Sequence, residues 1–498
     1  MARTSASRGA SRAARERSGR SVFGVPERFM RPRLVLVAAV ACLVGFGALM
    51  VFSASSVSAM NTTGDAAYYL KRELVFIALG AVVAVALARI DYHWWVRRLL
   101  MPIWVVTAGM LLFVLVAGTD NDMGASRWID LGFFDLQPSE FAKMTIIFTA
   151  ANLAERYYEE GTLDFSSFWK LLAAGVGVPL LLILLQPDKG TTMVLGLTLL
   201  VMGYLAGMPR GILAGVLLLG VVGLFIVSVR DAYSLERLQA MIDPWSDPYD
   251  KGYHLIQGFY AFGSGGLFGV GIGFSRQKYS YLPMAHNDFI FAVIGEECGL
   301  VGTLGMLAGF AVFMWAGLEI ARRAPDFAGR LVAAGCTSLV MIQLLLNVSG
   351  VLGLFPLSGK PIPFVSYGGS SMIASLMIVG MIASVSVHSR LPETEHDDAR
   401  RSWRQVDAGL GEASAPGLSF VGEATPRSRR GRDLAPGDTG DLGAARTTKA
   451  APSRARGGGL KVVQGGGSRD GRARIDLGPS AADRLRGRNG GRGGARRR

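Results

Sequence analysis

Cysteine is nearly missing from this chain: Cys42, Cys298 and Cys336 are the only three in 498 residues. Each falls inside an apolar run, so neither a disulfide framework nor a thiolate metal pair is indicated, and they read as small apolar fillers. Charge is scarce as well, at 18% of residues against 50% hydrophobic. No repeat of solenoid length is present, which sets aside stacked-repeat architectures. The glycine-rich stretch matches neither the dinucleotide nor the P-loop spacing. No His/Asp/Glu cluster specifies a metal, so no metal ligands are assigned.

The charge that is present is unevenly placed. The formal net charge is +14, and it belongs to the two ends. Residues 1–33 hold nine Arg against Glu16 and Glu27, and residues 390–498 hold 23 Lys and Arg against 13 Asp and Glu. Between them uncharged apolar runs recur: Leu34–Phe52, Leu74–Ala88, Leu99–Gly118, Leu171–Leu185, Thr191–Met208, Gly211–Val229, Leu331–Leu354 and Met372–Val387. Two further runs carry internal charge, Phe141–Ala154 with Lys143, and Phe289–Leu318 with Glu296 and Glu297. Most are long enough to cross about 30 Å of hydrocarbon as helices. The expected fold is therefore an all-α integral membrane protein of about ten spans.

Lys and Arg stay on the cytoplasmic side during insertion, and this sets the orientation. With the N-terminus inside, the inner loops carry Arg89, Arg97, Arg98, Arg156, Lys170, Arg210, Arg322, Arg323 and Arg330, against Lys71, Arg72, Arg127, Lys189 and Lys360 outside. Both tails then lie in the cytoplasm. A cleaved secretory signal is the competing reading of residues 1–60, because Ser56-Val57-Ser58 follows the first apolar run. That run exceeds the ordinary length of a signal core, which favours a retained span. The chain divides into a basic tail (1–33), a membrane domain (34–389) with a long extracytoplasmic loop (230–287) between spans 7 and 8, and a second basic tail (390–498). Gly-, Ser- and Arg-rich sequence after Arg390 has too few large apolar residues to fold, so disorder is expected there. Its Arg residues suit contact with anionic lipid heads or docking of cytoplasmic partners. Nucleic acid is not assigned as a partner, since no folded reading module accompanies the Arg-Gly clusters.

Charged groups beside a bilayer are costly, so each needs a partner or a function. Gly124-Ala-Ser-Arg-Trp-Ile-Asp130 leads through Gln137-Pro-Ser-Glu140 to Lys143. Pro138 suits the first turn of a helix on which Glu140 and Lys143, three apart, share a face. That pair is either structural or substrate-binding. Arg127 beside Trp128 is either an interface anchor or a phosphate grip. Gln186-Pro-Asp-Lys-Gly190 reads as a tight turn. The long loop runs from Gly252-Tyr-His-Leu-Ile-Gln257 through Gly263-Ser-Gly-Gly-Leu-Phe-Gly-Val-Gly-Ile-Gly273 and Gln277-Lys278 to His286-Asn-Asp288. Its alternation of apolar and polar residues over 252–283 suits a groove wall at the membrane boundary. Asp288 opens a span, with Glu296 eight residues on and about 80° round by helical geometry, and Glu297 on the opposite face. By itself Asp288 reads as a helix cap. The last outer loop, Phe355-Pro-Leu-Ser-Gly-Lys-Pro-Ile-Pro-Phe-Val-Ser366-Tyr-Gly-Gly-Ser-Ser371, reads as a stiff re-entry.

Taken in order, these five motifs closely resemble the SEDS family (shape, elongation, division and sporulation), over residues 34–389. That resemblance implies a ten-span peptidoglycan glycosyltransferase of the bacterial plasma membrane. It would polymerise lipid II, the undecaprenyl-diphosphate-linked disaccharide pentapeptide, beside a class B penicillin-binding protein. The family's essential aspartate falls on Asp288, which overrides the cap reading. Three positions depart from the family pattern: Asn287 where Thr is common, Cys298 where Leu is common, and Lys360 where an apolar residue is usual. The run Phe46 to Ser55 resembles the septal branch more than the elongation branch, and the long tails resemble actinobacterial members.

The chemistry that follows makes Asp288 the general base for a sugar hydroxyl. Arg127, Lys143, Lys278 or a bound divalent cation would neutralise the departing diphosphate. Glu140, His286, Glu296 and Ser366 complete the candidate substrate-binding set. Two other readings stand beside this one: a lipid II flippase lined by Glu140, Lys143 and Glu296, and an elongation-type polymerase. Other division proteins, meeting the tails, and membrane lipids complete the expected partners.

Overall fold

All ten apolar runs form helices. In chain order the helices are α1 (Glu27–Thr63), α2 (Tyr68–Arg89), α3 (Leu100–Ala117), α4 (Pro138–Ala154), α5 (Phe165–Leu185) and α6 (Lys189–Leu205). They continue with α7 (Arg210–Arg230), α8 (Ala232–Ile242), α9 (Tyr253–Gly265), α10 (Ile290–Arg322), α11 (Phe327–Val351) and α12 (Gly369–Val387). The computed structural model describes residues 21–22, 25–120, 126–130, 132, 135–279, 282 and 285–389. The C-terminal tail and most of the N-terminal tail, with the disorder expected of the former, lie outside the described residues.

Seven helices are long and apolar enough to cross a membrane by length and composition: α1, α3, α5, α7, α10, α11 and α12. The three remaining apolar runs make α2, whose first turns carry Lys71, Arg72 and Glu73, and the 17-residue helices α4 and α6. The protein is an all-α, multi-pass membrane protein. Its buried centre is formed by α4, α11 and α12, whereas α7 buries no residue at all.

Local chemistry explains the irregular turns. Helix α5 widens to a π-turn over Ala173–Gly177, just ahead of Pro179. Pro179 has no N–H for the carbonyl four residues before it, that of Gly175. The Trp104 indole N–H on α3 donates to that carbonyl at 2.8 Å. At the bundle end holding the α2–α3 and α10–α11 connections, Asp326 caps α11 through the Gly329 N–H at 3.3 Å and also accepts from the Tyr92 hydroxyl. There too Arg33 Nε donates to Ser386 Oγ at 2.7 Å, joining the first helix to the last.

The segment expected as a long loop, 230–287, is largely structured by α8 and α9. Its glycine-rich part, residues 263–273, packs against α10. It fills a break in α10, where Gly299 adopts φ +65°. The Leu300 and Val301 N–H groups, left without helical acceptors, donate to Gly266 O and Leu267 O at 3.0 and 3.1 Å. In return Val270 and Gly271 donate to Glu296 O and Glu297 O at 2.9 and 3.0 Å. The glycines are there for close approach: a Cβ on Gly269, itself at φ +81°, would stand 2.1 Å from Glu297 O.

Gly269→Ala therefore faces both a disfavoured backbone and a backbone clash. We expect a loss of roughly 2–4 kcal/mol, read as a lowered denaturation midpoint in detergent, with Gly263→Ala, which meets nothing within 4 Å, near wild type.

Candidate active site

Asp288 occupies a turn over Ala285–Phe289 that precedes α10, rather than the first residue of the helix. The helical-wheel relation expected between Asp288 and the two glutamates therefore does not apply. The turn is held from below: Asn347 Nδ2 on α11 donates to Asp288 O at 2.9 Å and to Lys360 O at 2.8 Å. One amide thus fixes the aspartate turn and the 355–368 loop to the same helix. That loop is closed by Ser366, whose hydroxyl accepts from the Ile362 N–H at 2.8 Å and whose N–H donates to Ile362 O at 3.0 Å. Tyr367 N donates to His286 O at 3.0 Å, tying the loop to the turn again.

Beneath them runs a buried polar network. Lys143 Nζ donates to Glu140 Oε2 and to Gln343 Oε1, each at 2.8 Å, and Gln343 Nε2 donates to Pro361 O at 2.8 Å. Lys360 Nζ reaches Asp188 Oδ2 at 2.8 Å, with side-chain exposures of 4% and 1%. Asp188 also accepts from Ser139 Oγ at 3.0 Å, Thr191 Oγ1 at 2.9 Å and Gln137 Nε2 at 3.2 Å. Burial pushes its carboxyl upward, but the charges of Lys360 and Arg127 and its hydrogen bonds outweigh that and hold it well below the usual carboxylate range. The turn at 186–190 is thus more than turn chemistry, because Asp188 caps α6 and anchors the loop.

Above this network opens a cavity of about 1800 Å³. At one end it is lined by Asp288, Arg237, Lys360, Arg127, Tyr69 and Tyr367. Away from that end the lining is almost wholly apolar, from α4, α5, α6 and α7, with Leu172, Leu197, Leu217 and Val221 among its residues. None of the described residues of 252–283, where a groove wall is expected, lines this cavity; α9 and the glycine loop pack on α10 instead.

Of the candidate site residues, Asp288 and Arg127 reach the cavity. Arg127 lies on the middle strand (Ser126–Asp130) of a small antiparallel sheet with Thr119–Asp120 and Asp135–Leu136, and donates to Gln186 O and Pro187 O at 3.3 and 2.7 Å. Glu140, Lys143, His286 and Ser366 are buried behind the wall and support it. Lys278 and Glu296 belong to a separate cluster. There Glu296 accepts from the Arg276 N–H at 3.0 Å and from Ser275 Oγ, while Glu297 accepts from Ser53 Oγ at 2.7 Å and the Ser275 N–H at 3.3 Å. Lys278 Nζ lies 3.7 Å from Glu297. Both glutamates meet one loop because residues 275–277 cross α10 at their level. Among the described residues, no group of three or more His, Cys, Asp or Glu side chains is placed to hold a metal.

Sequence reasoning passed over Arg237, Asn347 and Gln343. Arg237 lies on α8, donates to Leu357 O at 2.7 Å and acts electrostatically on Asp288. Gln343 and Asn347 stand four apart in an apolar run, one helical turn, and polar residues at that spacing were the available signal.

The Asp188–Lys360 pair carries its own test. Lys360→Met leaves a buried carboxylate unpaired and should cost about 3–5 kcal/mol, measured by denaturation in detergent. Asp188→Asn combined with Lys360→Met should cost much less than the two single changes added together.

Known proteins resemble this chain over most of its membrane domain. The FtsW/RodA/SpoVE family profile, described as "Cell cycle protein", matches residues 33–391. A probable peptidoglycan glycosyltransferase FtsW from Trichlorobacter lovleyi is 39% identical over 376 residues, covering 75% of this chain and 98% of that protein. Stage V sporulation protein E of Bacillus subtilis is 39% identical over 366 residues, covering 72% and 98%. Among solved structures, a peptidoglycan synthase complex studied for coordination of polymerization and crosslinking aligns with TM-score 0.58 at 28% identity, covering 72% of this chain and 98% of that one. The rod shape determining protein RodA of Thermus thermophilus aligns with TM-score 0.53 at 27% identity, covering 72% and 97%. With the profile spanning well over half of its length, the chain belongs to the FtsW/RodA/SpoVE family.

Proposed function

We propose that this protein is a peptidoglycan glycosyltransferase that joins lipid II units into glycan strands, with Asp288 as its general base. The observation that carries the reading is the cavity: charged and aromatic around Asp288, apolar along the rest of its length. An amphiphile needs such a container, with its saccharide and diphosphate at the polar end and its polyprenyl chain along α4 to α7.

In the reaction an acceptor hydroxyl oxygen bonds to the anomeric carbon of the donor sugar. The bond from that carbon to phosphate breaks, and the lipid diphosphate leaves with the electron pair. Asp288 takes the hydroxyl proton. Arg237 and Arg127 supply the positive charge that favours departure of the diphosphate, the charge of Lys360 being matched by Asp188. Lys143 and Lys278, buried away from the cavity, act on structure instead.

Ten spans, an outward-facing Asp288 and cytoplasmic tails fit the bias of basic residues toward the loops at the opposite end. The septum is the proposed location, following the division branch that the relatives' names favour. A crosslinking transpeptidase of the class B penicillin-binding type is the proposed partner, with other division proteins meeting the tails. The flippase reading is disfavoured by the apolar lining, since the polar head group of lipid II would cross it unaccompanied. Glu140, Lys143 and Glu296, the charges that would have served such a path, are off the cavity wall.

Purified protein supplied with lipid II and its partner should make glycan polymer, and Asp288→Asn should lower the rate by about 10²–10⁴. Polymer at the wild-type rate from that variant would sink the base assignment, and flipping in liposomes without polymer would favour transport.

The pH profile gives a further test. Burial raises the Asp288 carboxyl above the usual carboxylate range, with Arg237 and Lys360 opposing that rise. A base must be ionised, so activity should fall as pH drops through this raised value, above the ~3.9 of an exposed Asp. Arg237→Gln removes one opposing charge, and its acid limb should move to higher pH.

A further inference from the structure

The cavity lining around Asp288 holds cations, Arg237 from α8 and Arg72 from α2, and a cluster of rings. Tyr69, near the start of α2, lies 4.7 Å centroid to centroid from His286 and 5.1 Å from Tyr367, and His286 lies 5.6 Å from Tyr367. His286 is buried beneath the pair, whereas Tyr69 and Tyr367 keep part of their surface exposed and line the cavity. Among the described residues neither phenol hydroxyl makes a hydrogen bond, although the neighbouring Tyr68 hydroxyl accepts from Arg72 at 3.1 Å. Two ring surfaces with uncommitted hydroxyls thus face the same space as the Asp288 carboxylate.

Both reactants carry sugar and diphosphate, but only the donor loses its diphosphate and only the acceptor must bring a hydroxyl to the base. The C–H face of that acceptor sugar packs on an aromatic ring while its hydroxyls bond to phenol oxygens. Because Tyr69 and Tyr367 line the same cavity as Asp288 and pack on His286, two residues before it, we infer that they form the acceptor-sugar subsite. The inference rests on the glycosyltransferase reading and adds a direction to it: the acceptor reaches the base from the α2 side. His286 acts as a positioning residue, its ring backing both tyrosines and its carbonyl holding Tyr367 N.

The two roles can be separated with two substrates that each play one part. A lipid II whose acceptor hydroxyl is blocked serves only as donor, and a labelled peptidoglycan oligosaccharide without the lipid diphosphate serves only as acceptor. With full-length protein in detergent, Tyr69→Leu and Tyr367→Leu should raise the acceptor KM about tenfold while leaving the donor KM near wild type. Tyr69→Phe and Tyr367→Phe, which keep the ring, should recover most of that loss, and Arg237→Gln should raise the donor KM instead.

An unchanged acceptor KM in the Leu variants, or a raised donor KM, would overturn the subsite. So would a fall in thermal stability with both KM values unmoved, the result expected of rings that only anchor the protein at the membrane interface. Should the Leu variants fail to fold, Tyr69→Trp keeps the question open to refutation: an acceptor KM at or below wild type supports the subsite, and a raised donor KM refutes it. Wild-type protein that couples neither substrate would overturn the glycosyltransferase reading and the subsite together, whereas wild-type coupling with unmoved acceptor KM removes the subsite alone.

Discussion

Lys360 and Asp188 are buried almost completely and lie 2.8 Å apart. Removing two charges from water is costly, and mutual attraction repays it only when the remaining hydrogen-bonding capacity is also satisfied. Here Ser139, Thr191 and Gln137 complete the shell of the carboxylate. Ser139 and Gln137 come from the start of α4, Thr191 from α6, and Lys360 from the loop before α12. The pair is satisfied only when those elements are in their places, so it acts as a condition on assembly as well as a contact. Asn347 extends the condition to the Asp288 turn, because its amide holds the Lys360 and Asp288 carbonyls together. The proposed base, on a turn outside any helix, is thereby tied to a helix interior.

Glu140 and Lys143 take a different meaning in this light. Three residues apart on α4, they were open to a substrate role, but Lys143 donates inward to Gln343, and Gln343 holds Pro361 O. They form the deeper part of the same support. A buried network in which each polar group depends on the next has little tolerance for deletion. Loss of activity on changing Glu140 or Lys143 would thus follow from the shape of the 355–368 loop without any contact to substrate.

How much of this was legible in the sequence depended on whether the signal was local. Hydropathy and Arg placement located all ten helical runs, since burial in lipid leaves its mark on composition directly. Motif order located Asp288. The partners of Asp288 were hidden because they come from distant segments: Arg237 lies 51 positions before it and Asn347 59 after it. Nothing in the local pattern distinguishes an amphipathic helix lying on the surface from one that delivers an arginine to a cavity. The glycine-rich stretch misled in the opposite way, since its composition suits a mobile wall or an anion cradle. Its actual role, replacing the backbone hydrogen bonds lost where α10 breaks at Gly299, is visible only once both strands of chain are in place. Lys360 is a middle case: it stood out as a departure from the family pattern, yet its buried partner could not be read from the sequence.

The cavity also explains the odd behaviour of α7. A helix that buries no residue gains little from packing against the bundle, and it is tied at its C-terminal end through α8 and the Lys189 link to Asp231 at 2.7 Å. In water such a helix would be a liability, but in lipid its apolar surface is satisfied by the bilayer, so association with the bundle is not required for its stability. This wall of the apolar groove thus keeps its side chains satisfied by lipid rather than by the bundle. The polyprenyl chain of the proposed substrate would need a lateral opening, and α7 lines the apolar part of the cavity. The buried network under Asp288 and the lipid-facing α7 are therefore complementary under the proposed function: the first would fix where bonds change, and the second stands where a long lipid substrate would enter sideways.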